Sequence, residues 1–169
     1  MDAIENILSR KSVRNFKDQE IDDQTLDTLM KAAMAAPSAV NKQPWVFYVC
    51  KSEEVKEKIR KVMPFGKYIC PVIIIPCVKE INSIPLAHDL VYCDLSAATE
   101  NILLAAHALG LGAVWCAVYP NKGLIKSIAK AIGCKIGETP FSSIYLGYPS
   151  DDDKSKVKDK YTEKNIKIV

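Results

Sequence analysis

The sequence predicts a single domain of mixed helices and strands, and three observations predict it. The chain has 169 residues, 49% of them apolar, which suits one domain able to bury a sizeable core. Apolar residues recur at helical spacing in several segments, as at Leu26, Leu29, Met30 and Ala33. Between these segments stand short apolar runs bounded by proline or glycine, Val72 to Val78 above all, of the length and β-branched content of buried strands.

In chain order, Ala3, Ile4, Ile7 and Leu8 space a short amphipathic helix leading to Arg10. Asp22 or Asp23 can cap a second helix, which Pro37 ends. The stretch from Ala36 to Trp45 is a loop whose prolines, Pro37 and Pro44, hold the polar groups of Ser38, Asn41 and Gln43 in place before a strand from Val46 to Cys50. Ser52 can cap a helix to about Val62, with Glu53 and Glu54 in the first turn where the helix dipole favours anions. The run from Val72 to Val78 is a buried strand that reaches an edge or a bulge at Pro76.

Asp89 to Leu109 carries the longest helical pattern. It is apolar on more than one face, as a helix covered by a partner as well as by its own sheet would be. Gly110 and Gly112 stop it, and Ala113 to Val118 forms the next strand. Leu124 to Ile132 is a helix ending at Gly133, and Ser143 to Tyr148 a last core strand before Pro149. The tail from Asp151 is of mixed charge and ends in Ile166, Ile168 and Val169, which alternate as a strand laid on another surface would.

Composition narrows the function. A formal charge of +3 gives no basic stripe for nucleic acid. Acidic residues stand where a secretory leader would be basic, and the apolar run from Ile102 to Tyr119 is broken by His107 and Gly110-Leu111-Gly112, so neither secretion nor a membrane span is expected. Cys50, Cys70, Cys77, Cys93, Cys116 and Cys134 form no CxxC pair, and His88 and His107 lack metal-ligand spacing. Free thiols inside apolar runs suit a reducing cytoplasm. A nucleophilic cysteine with His107 as its base remains an alternative without a local signature.

The most informative stretch is Arg10-Lys11-Ser12-Val13-Arg14-Asn15-Phe16. In an extended segment Arg10, Ser12 and Arg14 project to one side while Val13 and Phe16 anchor the loop in the core. A guanidinium fork with a neutral hydroxyl fits a phosphate, although a solvated basic turn is the plainer reading of the same charges.

Four landmarks in this order, RKSVRNF, APSAVNKQPW, NILLAAHALGLGAVW and SIYLGYP, resemble the nitroreductase family of FMN-dependent oxidoreductases over nearly the whole chain. The resemblance implies an α+β fold, an α/β/α sandwich with a central mainly antiparallel sheet, and an intertwined homodimer with FMN at the subunit interface. It casts the tail from about residue 151 as an arm reaching the partner. Carried over by position, Arg10 and Ser12 match phosphate contacts, and Arg14 the cation near the pyrimidine end of the flavin. Pro37, Ser38 and Asn41 match a loop that approaches the flavin from the opposite subunit, while Lys11 and Gln43 lie inside the same motifs. The backbone of Trp115, Cys116 and Ala117 corresponds to the strand lying along the ring, and Lys158 and Lys160 complete the phosphate site as point charges. One departure is plain: Met63-Pro64-Phe65-Gly66-Lys67 offers no equivalent of the family's polar residue beside the pyrimidine, unless Lys67 serves.

The implied activity is ping-pong transfer of two electrons from NADH or NADPH to a nitroaromatic, quinone or similar small acceptor, without a dedicated side-chain acid or base. A flavin-binding storage or regulatory protein without steady turnover, an enone reductase, a dehalogenase and a cofactor-free interaction protein are the alternatives.

Overall fold

A computed structural model describes residues 2–84 and 88–169. Along them run α1 (Ala3–Ser9), α2 (Asp23–Met34), β1 (Trp45–Cys50), α3 (Glu53–Val62), β2 (Val72–Lys79), α4 (Leu90–Ala108), β3 (Gly112–Ala117), α5 (Lys122–Ile132), β4 (Glu138–Pro140) and β5 (Ser142–Gly147). The strands form a sheet of order β1-β2-β5-β3, with β4 paired to the far end of β2, and every pairing is antiparallel.

Helices cover both faces of this sheet, and the strands show how. Along β2, Val72 and Ile74 enter one core with Leu26 and Leu29 of α2 and Ile102, Leu103 and Ala106 of α4. Ile73, Ile75 and Cys77 point the other way, into a second core with Ile59 of α3 and Ile128 of α5. The side-chain period of two therefore feeds two apolar layers, which is why β2 reads as an unbroken apolar run. The architecture is the α+β sandwich with a mainly antiparallel sheet that the resemblance implied.

The local signals behind these elements are largely ordinary ones. Asp22, rather than Asp23, caps α2 by accepting the Thr25 N–H at 2.8 Å. Asn121 does the same for α5 from the Leu124 N–H, and Gly133 closes that helix in the left-handed conformation. Ser52 precedes α3 at the cap position, but its hydroxyl makes no capping hydrogen bond.

Three expectations need correction, and one strand was not foreseen. Pro76 lies neither at a sheet edge nor in a bulge, because β2 is internal to the sheet. On one side β5 pairs with Val72 to Ile74 and β4 with Cys77 to Lys79, and Pro76 falls between those two ladders. Its carbonyl accepts the Phe141 N–H at 2.9 Å, so the missing proline donor faces the β4–β5 junction and removes no ladder bond to β1. The short strand β4 carried no apolar alternation and was not foreseen. The terminal Ile166, Ile168 and Val169 form no strand and stand exposed. Finally, Gly112 does not stop α4, a task met by Gly110 at φ +77°; it opens β3.

Gly112 has a different reason to lack a side chain. It pairs with Gly147 across β3 and β5, and the basic segment of residues 10–16 passes directly over this pair. A Cβ on Gly112 would lie 2.6 Å from the Val13 Cβ, and one on Gly147 would lie 3.1 Å from the Phe16 Cβ and 2.7 Å from Pro71 Cδ. Gly112→Ala is therefore expected to lift the segment from the sheet and lower stability by about 1–3 kcal/mol, the cost typical of overpacking. Urea denaturation would measure this, and wild-type stability in the variant would mean that the segment is not held by that contact.

Candidate functional site

The basic segment is held to the sheet at two points. Ser12 bridges Ala113 in parallel register, with the Val13 N–H donating to the Ala113 carbonyl at 3.0 Å, and Phe16 bridges Pro149. Extended backbone between these anchors buries Val13 to 3% exposure and turns its neighbours outward. Arg10, Lys11, Ser12 and Arg14 then form one wall of a cavity of about 660 Å³. Residues 155–161 of the tail, with Lys158 and Lys160, form the opposite wall, and Ile7 and Leu8 of α1 add an apolar side. A volume of this size falls within the roughly 300–1,000 Å³ of small-molecule sites.

The cations in this cavity differ in what they already hold. Arg10 Nε pairs with Glu100 of α4 at 3.0 Å, which fixes the side chain and leaves its terminal nitrogens available. Lys11 donates to the Ser155 carbonyl at 2.7 Å and lies 3.5 Å from Asp153. Arg14 makes only a long 3.4 Å contact to the Ser12 carbonyl. Among the described residues Arg14, Lys158 and Lys160 enter no ion pair. A guanidinium fork, a hydroxyl and two unpaired ammonium groups around one cavity are a donor set suited to a phosphate monoester.

The anchor at Ala113 joins the cavity to β3, and Arg14 acts on that strand through its charge. The Cys116 thiol is pushed up by burial while the charge of Arg14 acts in the opposite sense, so the two groups are electrostatic neighbours. Trp115, Cys116 and Ala117 pair with Ile144, Ser143 and Ser142 on one side. Along the other edge of β3 the only main-chain bridge among the described residues is that of Ser12 at Ala113, so the outward amides and carbonyls beyond it have no strand partner. Gly66, at φ +82°, passes close behind; a Cβ there would lie 2.7 Å from Cys116 Sγ.

The residues expected from the second loop sit apart. Pro37, Ser38, Asn41 and Gln43 do not line this cavity. Their loop is nonetheless tightly built: the Ser38 hydroxyl accepts the Gln43 N–H at 3.0 Å, Asp94 of α4 accepts the Ala39 N–H at 3.0 Å, and Asn82 donates to the Gln43 carbonyl at 3.3 Å. Val40, Asn41 and Gln43 have φ of 45°, 55° and 49°, a left-handed cluster that is rare outside glycine and an outlier for β-branched Val40.

His107 hydrogen-bonds Ser9 at 2.9 Å, and burial with the charges of Arg10 and Lys11 lowers its pKa. No hydrogen bond between His107 and a thiol occurs among the described residues, so the cysteine-histidine alternative finds no geometry. Among the described residues there is no His, Cys, Asp and Glu group that could hold a metal, and no helix is long and apolar enough to cross a membrane. Sequence reading missed Glu100, Asp153 and Ser155; Asp153 was hidden in an acidic run that reads as solvated surface.

Sheet, cavity and open strand edge together define a chain with a phosphate-ready cleft beside an α+β sandwich core, and comparison with known proteins places it. The model of the Nitroreductase family matches residues 7–63 and 67–148, and the chain belongs to that family. A Methanothermobacter thermautotrophicus protein, provisionally named NADH dehydrogenase/NAD(P)H nitroreductase, is 41% identical over 155 residues, covering 90% of this chain and 80% of its own. A crystal structure of a similarly named Parabacteroides distasonis protein superposes with TM-score 0.90 at 34% identity, covering 98% of this chain and 96% of that one. An FMN-dependent nitroreductase from Clostridium difficile R20291 superposes with TM-score 0.87 at 25% identity over 98% of both chains. The family match skips residues 64–66, where Gly66 passes Cys116, and it ends at Tyr148, before the tail that walls the cavity.

Proposed function

We propose that the chain is an FMN-dependent oxidoreductase that takes two electrons from NADH or NADPH and passes them, in ping-pong order, to a nitroaromatic, quinone or similar small acceptor. The observation that carries this reading is the cavity in which Arg10, Ser12, Arg14, Lys158 and Lys160 converge and which the Ser12–Ala113 bridge joins to the open edge of β3. FMN dependence of the Clostridium difficile relative and the NAD(P)H-linked names of other relatives support it.

Bound FMN would supply the hydride chemistry; the protein supplies position and charge. Arg10, Ser12, Lys158 and Lys160 hold the phosphate, with Arg10 braced by Glu100. Arg14 sets positive charge beside the pyrimidine end, where negative charge accumulates on reduction. The main chain of Trp115, Cys116 and Ala117 lies along the ring. Pro37, Ser38, Asn41 and Gln43 reach the same site from a second copy of the chain, in a homodimer whose tails extend toward each other's subunit. The exposed Ile4, Ile7 and Leu8 of α1 offer apolar surface for that assembly. Residence in the cytoplasm completes the reading.

The test is an absorption spectrum of the purified protein, followed by anaerobic titration with NADH and with NADPH and by turnover with a quinone. Bound flavin bleached by one of the nicotinamides, with steady consumption once acceptor is added, is the expected result. A protein that binds no FMN overturns the reading, and flavin that is bound yet never reduced leaves a storage function in its place.

A further inference from the structure

Lys11 lines the cavity, yet its ammonium is held by the tail, and this points to a role for Asp153. We infer that Asp153, acting through Lys11, is a positioning residue that sets the C-terminal wall of the phosphate site; the inference rests on the FMN reading above. The Asp153 side chain is 5% exposed. One carboxylate oxygen accepts the Ser155 hydroxyl at 2.7 Å, and the other has no hydrogen bond and faces the Lys11 ammonium at 3.5 Å. Lys11 in turn donates to the Ser155 carbonyl at 2.7 Å, closing a ring of three residues. The Asp153 N–H donates to the Ser150 carbonyl at 2.9 Å, which fixes the turn that presents the carboxylate.

Among the described residues this ring is the last hydrogen-bonded anchor of the tail to the body of the protein before Lys158 and Lys160. Beyond it, within residues 156–161, the described hydrogen bond is local, from the Tyr161 N–H to Asp159. Lys158 lies three residues past Ser155, within about 10 Å of extended chain, so the ring dictates where that ammonium can reach. Removing Lys11 is also costly, because the nearly buried Asp153 carboxylate is left charged and without its cation. Lys11 therefore acts as a latch: its charge is answered by Asp153, and the phosphate is met by lysines that the latch delivers.

The two roles for Lys11 predict opposite signs. If Lys11 contacted the phosphate directly, Asp153→Asn would release its charge and leave FMN affinity unchanged or tighter. The latch requires the reverse: Asp153→Asn and Lys11→Gln each raise the FMN dissociation constant by about tenfold, read by flavin fluorescence quenching. In a Lys158→Ala/Lys160→Ala background the same Asp153→Asn change is expected to have almost no further effect, since the groups it positions are gone. Trypsin should also cut the flavin-free Asp153→Asn protein faster than wild type at residues 154–160. Unchanged or tighter FMN binding in Asp153→Asn, or a full additional loss in the triple variant, overturns the inference. Absence of FMN binding by the wild-type protein would instead reject the functional reading beneath it.

Discussion

Arg14→Ala is expected to raise the FMN dissociation constant by about 10- to 100-fold, because hydrogen bonds to charged groups are worth about 1.5–3 kcal/mol and each ~1.4 kcal/mol is tenfold. The same change lowers the midpoint potential of the flavin that still binds. Negative charge gathers at the pyrimidine end only in the reduced state, so losing a nearby cation penalises reduction more than binding. For a two-electron couple about 30 mV corresponds to ~1.4 kcal/mol, and a drop of at least that size is expected. Arg14 suits the role because it is exposed, enters no ion pair among the described residues, and lies close enough to β3 to act on Cys116. Arg14→Lys should keep most of the potential while losing part of the affinity, since an ammonium keeps the charge without the fork. Full occupancy and an unchanged potential in Arg14→Ala would remove this residue from the site.

Alkaline pH is expected to unfold the protein through its buried thiols. Burial pushes Cys50 and Cys70 up to about 11 from an ordinary 9.0. Cys77, hydrogen-bonded to Cys134 and buried, moves in the same direction. A folded-state pKa above the unfolded one means that the folded chain keeps a proton the unfolded chain releases. The associated stability is complete below about pH 9 and is lost as pH rises toward 11. At 1.36 kcal/mol per pH unit, Cys50 and Cys70 together account for roughly 5 kcal/mol, a large share of the ~5–15 kcal/mol of a typical domain. Denaturant titrations at pH 8 and pH 11 would measure the loss. The Cys50→Ala/Cys70→Ala protein, although weaker at pH 8, should show a clearly smaller decline. Equal declines in both proteins would assign the alkaline loss to other groups.

Most of the fold could be read from residue order because its signals are local. Apolar spacing, cap residues and glycine stops located the five α-helices of the described residues, and short apolar runs located β1, β2, β3 and β5 to within a residue or two. What escaped depended on contacts between distant parts of the chain. β4 pairs with Cys77 to Lys79, past the point where β5 leaves β2, a division of one strand's edge that only the folded sheet reveals. Gly112 and Gly147 are small because residues 13 and 16 cross above them. In the cavity, the alternation of Arg10, Ser12 and Arg14 was visible as pattern, and the placement of Lys158 and Lys160 opposite them came from resemblance. The diversion of Lys11 to Asp153 required knowing where the tail folds back, which no local pattern encodes.

The loop holding Val40, Asn41 and Gln43 has a consequence for any contact made there. Three non-glycine residues sit there in a sparsely populated backbone region, pinned by Asp94, Ser38 and Asn82, while Val40 is 78% exposed and gains little from packing within the chain. A segment so constrained meets whatever docks on it already in its final shape. Little freedom is then lost at the moment of contact, and mismatched surfaces find no pliant loop to mould. Selectivity at this point of the molecule is thus set before any encounter takes place.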